Sequence, residues 1–397
     1  MEKLRLFFLY LYLFSLSIEN WSPFGDITSL FRPALIFGIL YVLFSFIRIK
    51  RNFEINEVKY LLKPAFLVWL WITIISLLYH AFTGIAPFFN YTLLSCIISF
   101  WLLSNDLQHY PLLKNHFLYI IIINGVLLSM LSYFQIGIDI GHMGRQSLLG
   151  NNSNVIGLSS LISIVLIIYL VIENHQKLSK SRFLLLFIIP FLLQAIAKTG
   201  SKGALLTLVI GLTLYLITLN KPVRQKIPLF FLGILSLVYG YVYMLQNEVL
   251  ADRWEEFVET GDTTGRAMRW EFALNTFIDY PFFGVGENGL AHLASFVFGS
   301  YDPHNVYLYV MATGGVFAII PFFLFLLRIY KKINLYKKAW NSNLPFVLYF
   351  ILLMFWFKAG GGLNSKFVWA YFALISHQPY NYIYTKYYAV SNTRDKN

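Results

Sequence analysis

Three short polar groups interrupt an otherwise apolar chain, and each combines residue types that can handle a phosphorylated substrate. Lys198-Thr199-Gly200-Ser201-Lys202-Gly203-Ala204 sets two cations into a tight turn between apolar segments. Closely spaced cations and the free amides of a starting helix both favour phosphate. In Thr264-Gly265-Arg266-Ala267-Met268-Arg269-Trp270-Glu271 the two arginines stand three apart. They therefore share a helix face, and guanidinium forks suit bidentate contact with phosphate oxygens. Pro303-His304-Asn305-Val306-Tyr307 puts a histidine where the chain re-enters an apolar run, and histidine can take a proton from a hydroxyl near neutral pH. Each group also has a plainer reading: lysines snorkelling to lipid headgroups, exposed ion pairs of the arginines with Glu259, Asp262 or Glu271, and a histidine serving only as an interfacial anchor.

Two further stretches are weaker. Arg145, an additional candidate cation, precedes Gly150-Asn151-Asn152-Ser153-Asn154, a polar turn suited to cap the next helix. Pro281-Phe282-Phe283-Gly284-Val285-Gly286-Glu287-Asn288-Gly289 contains a G-x-G that follows a helix rather than a strand. A dinucleotide site is thereby excluded, and a backbone bend is expected. Asp252 to Glu259 reads as a solvated helix face. The sequence holds no P-loop, H-E-x-x-H, G-x-S-x-G or metal-ligand spacing, so no metal or other cofactor is expected.

The elements that must position these groups are membrane helices. Of 397 residues 58% are apolar and 13% charged, the latter about half the roughly 25% of soluble domains. A soluble enzyme and a disordered chain are excluded, and a single cysteine, Cys96, excludes a disulfide scaffold. The net charge of +12 fits cytoplasmic loops that hold orientation rather than a nucleic-acid partner. The charged start followed by an apolar run resembles a signal peptide, but no small-x-small cleavage site follows, and it reads as a retained first span. Apolar stretches fall near 5–18, 33–47, 65–82, 87–104, 116–136, 154–172, 183–197, 203–219, 227–244, 305–328, 344–357 and 367–379. With the N-terminus cytoplasmic, 22 of the 31 Lys and Arg lie on inside connections, whereas 13 of the 19 Asp and Glu lie outside. A miscounted helix would scramble this sorting. The expectation is an all-α integral membrane protein of about twelve transmembrane helices, with both termini cytoplasmic and one large, partly helical external loop at 245–303. Within that loop a helix is expected from Thr264, with Ala267, Trp270, Ala273, Leu274 and Phe277 at helical spacing and Pro281 as its stop. The expected organisation is six or so N-terminal helices in 1–182, a core in 183–330 that includes the loop, and C-terminal helices and tail in 331–397.

Taken in order, Ser201-Lys202-Gly203, Gly265-Arg266 with Trp270, Asp279-Tyr280-Pro281-Phe282-Phe283-Gly284-Val285-Gly286, and His304-Asn305 followed by Gly314-Gly315 resemble the O-antigen polymerase and O-antigen ligase superfamily over residues 198–317. The resemblance implies a metal-free, inverting glycosyltransferase of the bacterial inner membrane, active at the periplasmic face on a glycan carried by undecaprenyl pyrophosphate. It implies that Lys202 and Arg266 contact the pyrophosphate and that His304 activates the acceptor hydroxyl. Beside these, Lys198, Arg145, Arg269 and Asn305 are expected to bind substrate. Lys202 replaces the family's arginine, keeping the charge but losing the fork, and the glycines after His304 are adjacent rather than spaced. The implied partners are the lipid-linked donor, a glycan or lipid A-core acceptor, membrane lipids and a chain-length regulator protein. Polymerisation of repeat units is the leading expectation and ligation to the lipid A core the alternative. A flippase without chemistry is a third reading, disfavoured because the charges gather at one boundary rather than at the midplane.

Overall fold

Without water to satisfy them, backbone polar groups in a bilayer must pair within the chain, so the apolar runs form helices. The computed structural model describes residues 2–23, 31–49, 55–110, 112–140, 146–173, 180–222, 266–298, 302–340, 342–358 and 362–377, with single positions between 224 and 255. The α-helices are α1 (Glu2–Ser15), α2 (Pro33–Ile49), α3 (Ile55–Thr83), α4 (Tyr91–His109), α5 (Leu113–Tyr133), α6 (Ser153–Ile172), α7 (Ile189–Lys198), α8 (Lys202–Thr218), α9 (Arg266–Asp279), α10 (Gly286–Phe298), α11 (Val306–Trp340), α12 (Leu344–Lys358) and α13 (Lys366–Ser376). Among the described residues four stretches are long and apolar enough to cross a membrane: Val58–Thr83, Leu113–Tyr133, Ser153–Ile172 and Val306–Leu335. Shorter apolar helices occupy most of the remaining runs. The expected span at 227–244 lies almost wholly outside the described residues, as do Arg145 and most of 245–265.

Helix α6 is the hub. It is apolar on every side, as a buried helix should be, and packs against α5, α7, α8 and α12. A buried ion pair, Arg5 with Asp106, ties α1 to α4, and the Tyr41 hydroxyl of α2 donates to the other carboxylate oxygen at 2.6 Å. At the opposite end of the bundle, the Glu19 carboxylate after α1 accepts from Ser365 and from the Lys366 amide at 3.3 and 3.2 Å, which ties α1 to α13.

Several details depart from the sequence reading. A two-stranded hairpin, β1 (Ile138–Ile140) with β2 (Gln146–Leu148), precedes α6, with Asp139 opposite Ser147. Helices α3 and α11 extend beyond the apolar stretches expected at 65–82 and 305–328, the first starting at Ile55 and the second ending at Trp340. Within the expected loop, α9 is the helix read from Thr264 and ends before Pro281 as expected, whereas α10 departs from the expectation; the two dock on α11 and α3 around Ala273, Val285, Leu290 and Ala312.

The turn between α9 and α10 explains the glycine-rich motif. Helix α11 is broken at Gly315 (φ 60°, ψ −156°), which frees backbone groups that a membrane cannot hydrate. Residues 281–285 take them up: Val285 N donates to Ala312 O at 3.1 Å, Val316 N to Pro281 O at 2.8 Å and Phe317 N to Phe282 O at 3.3 Å. Trp71 Nε1 of α3 donates to Gly314 O at 3.0 Å. The approach is so close that a methyl group on Gly284 (φ +68°) would lie 2.5 Å from Gly314 N. The rings of Trp71, Phe283 and Phe317 close over the break.

Candidate active site

The lysine turn is held from below by α6. Gly200, in the left-handed region (φ 60°), reverses the chain after α7. Ser201 then caps α8, accepting from Ala204 N at 3.3 Å and donating to Asn154 Oδ1 at 3.0 Å. Lys202 is the first residue of α8 and is half-buried. Gly203 is small for a reason. The stem of Lys358, the last residue of α12, lies over it, and a methyl group at 203 would sit 3.2 Å from the lysine Cδ. Lys198 is engaged elsewhere, donating to Ser132 O at 3.3 Å with its ammonium 5.6 Å from the Tyr133 ring.

Arg266 opens α9. One turn on, Trp270 packs edge-on against Phe357 with ring centroids 5.3 Å apart, which seats the start of α9 on the end of α12. Arg266 and Lys358 lie within electrostatic reach of each other. Arg269 turns the other way. Its guanidinium donates to Asp302 O at 3.3 Å and lies 5.2 Å from the Phe298 ring, so it fixes the residues that precede His304.

His304 has φ 52°, an unusual value for a residue with a side chain. The conformation is held locally: its amide donates to Asp302 Oδ1 at 2.7 Å, and Asp302 Oδ2 stands 3.7 Å from Nδ1. At 3.7 Å the carboxylate is an electrostatic neighbour of the ring, beyond hydrogen-bond reach of Nδ1. The ring is partly exposed, at 31%. Asn305 is buried, and its Oδ1 caps α11 by accepting from Leu308 N at 3.1 Å. Arg145 lies outside the described residues, between β1 and β2.

Lys202, Arg266 and His304 thus belong to one run of contacts at one end of the bundle, through Gly203, Lys358, Trp270, Phe357, Arg269 and Asp302. Sequence reasoning passed over Lys358 and Asp302. Asp302 stands two residues before His304 and was legible as its neighbour, whereas Lys358 showed only as a cation at a helix end. Of the loop aromatics, Trp270, Phe272 and Phe283 are spent on packing against Phe357, Phe298 and Trp71. Among the described residues no three His, Cys, Asp or Glu side chains gather in a metal-ligand group. An open apolar groove of about 590 Å³ begins at Tyr307, three residues past His304, and continues between α11 and α12 along Ile320, Phe323, Leu327 and Leu353.

Fold and site together define a helical membrane protein with cations and a histidine beside a carboxylate collected at one bundle end. Residues 185–323 match the O-antigen ligase family model, so this part of the chain is similar to the O-antigen ligase and polymerase superfamily. The matched stretch contains Lys202, Arg266 and His304, while Lys358 lies beyond it. No curated protein matches the chain.

Proposed function

We propose that the protein joins undecaprenyl-pyrophosphate-linked repeat units into O-antigen or a related surface polysaccharide at the periplasmic face of the inner membrane. The observation that supports this best is the convergence of the α8 start, Arg266 and the Asp302–His304 pair within a stretch that matches a family of glycan-transferring membrane proteins. In this reading His304 takes the proton from the acceptor hydroxyl, whose oxygen attacks the anomeric carbon of the donor. The bond from that carbon to the pyrophosphate oxygen breaks on the opposite face, with inversion. The electron pair leaves on the pyrophosphate, where Lys202 and Arg266 offset the developing charge without a metal. The groove that starts at Tyr307 gives the carrier's isoprenoid tail an apolar path down from the site.

A second reading, ligation of finished glycan to the lipid A core, draws support from the description of the matching family as O-antigen ligase. Pure transport draws none from the break in α11, because the freed backbone groups are taken up by 281–285 rather than left to line a passage. Deleting the gene and analysing surface polysaccharide on gels separates the readings. Loss of long chains with one repeat unit still on the core means polymerase. Bare core with accumulated lipid-linked polymer means ligase, and repeat units trapped on the cytoplasmic side mean flippase.

A further inference from the structure

On the reading above, we infer that Lys358 is a third cation of the pyrophosphate site, set to meet the charge that appears when the glycosidic bond breaks. Its stem crosses Gly203, so the side chain lies beside the opening turn of α8 rather than on its own helix. Phe357, its neighbour, seats Trp270 and with it the start of α9, where Arg266 stands. The start of α8 carries the positive end of a helix dipole, and Lys202 is its first residue. Three elements distant in sequence thus bring charge of one sign to one place.

A plain structural role accounts poorly for that arrangement. A lysine ending a helix is favoured by its own dipole, but here it is half-buried within reach of another cation, and like charges brought together out of water repel. An anion between them removes the repulsion. The donor is a pyrophosphate diester. When the electron pair of the broken bond moves to its oxygen, the leaving group gains one more negative charge, and a fixed third cation stabilises that state more than the bound donor.

The test uses the full-length protein in nanodiscs, with undecaprenyl pyrophosphate, undecaprenyl phosphate and undecaprenol as probes. Lys358→Gln should bind the pyrophosphate roughly tenfold more weakly or worse, lose less for the monophosphate and nothing for the alcohol. Lys358→Arg should restore most of the affinity. Because repulsion is relieved, unliganded Lys358→Gln should melt no lower than wild type, while its stabilisation by pyrophosphate shrinks. If Lys358→Gln binds pyrophosphate as tightly as wild type, or weakens all three probes alike, the assignment is wrong while the site reading stands. If wild type itself binds no probe in preference to undecaprenol, the site reading fails and the assignment with it.

Discussion

His304 is the residue on which the proposed chemistry turns, and its geometry sets a sharp expectation. Removing a general base should slow transfer by roughly 10²–10⁴-fold. His304→Gln should fail as His304→Ala does, since glutamine hydrogen-bonds but takes up no proton. Both are measured as transfer from lipid-linked donor by purified protein, and an active His304→Gln enzyme would leave the residue a positioning role only. Arg266→Ala should likewise abolish product without lowering protein level, with Arg266→Lys a partial rescue because the fork is lost. Those residues were legible because their types are rare beside apolar runs. Lys358 was not, because the glycine it covers lies far away in sequence and only the fold brings them together. Glu19 was hidden in the same way. It is buried against Ser365 and Lys366, and burial pushes its carboxyl up to about 7 from 4.5, with nearby Lys366 and Arg32 pulling the other way. Between those values the folded chain keeps a proton that the unfolded chain has released. Stability from this group is therefore full below pH 4.5 and is lost as pH rises through 7, by about 3 kcal/mol. Melting temperature in detergent should fall from pH 5 to pH 8 in wild type, and less steeply in Glu19→Gln. Parallel curves would remove Glu19 as the cause.

Among elements, the helices were legible and the ways they are interrupted were not. Apolar runs gave α6, α8 and α12 to within a residue and α5 displaced by three residues, because length and hydropathy are enough when the solvent is lipid. The hairpin escaped because three-residue strands leave no periodicity, and α10 escaped because its first turn carries Gly286 and Gly289, which read as a bend. The break in α11 escaped for a deeper reason. Gly314-Gly315 in an apolar run is compatible with an unbroken helix, and what opens it is backbone pairing with 281–285. That pairing predicts unequal costs for two glycine substitutions of the same kind. Gly284→Ala forces a side chain into the left-handed region and into Gly314, costing about 1–3 kcal/mol from backbone strain alone and more from the clash. Gly84 has a similar φ of +74°, but nothing lies within 4 Å of the added methyl. Gly84→Ala should bear only the strain. Thermal unfolding should rank Gly284→Ala well below Gly84→Ala, and only the former should also lose transfer, since the turn it distorts holds α9 and Arg266 in place. Equal losses would mean that the contact with α11 is dispensable.

At the scale of the whole molecule the question is which end of the bundle faces out, and contacts between helix ends supply half the answer. Lys114 at the start of α5 stacks on Trp340 at the end of α11 with its ammonium 3.9 Å from the ring. Tyr215 near the end of α8 donates to Glu173 after α6 at 2.5 Å, and Asn343 before α12 donates to Thr218 O. At the opposite end, Asn151 before α6 donates to Ser17 O after α1 at 2.8 Å, and Lys198 ending α7 meets Ser132 near the end of α5. Each contact joins ends that a strictly alternating path puts on one side. Helix α8 finishes at the first of these ends and α9 starts at the second, and the sequence expectation of a span at 227–244 lies almost wholly outside the described residues. On the proposed function, charge sorting supplies the sign: connections at the first end carry most of the Lys and Arg, so the expectation is a cytoplasmic first end and an external site. Because Cys96 is the only cysteine and is buried, introduced thiols report cleanly. Asp262→Cys should react with a membrane-impermeant maleimide in intact cells, whereas Arg224→Cys should react only after the membrane is opened. The reverse pattern would put Lys202, Arg266 and His304 on the cytoplasmic side, away from where an exported lipid-linked glycan is presented, and would end the transferase reading.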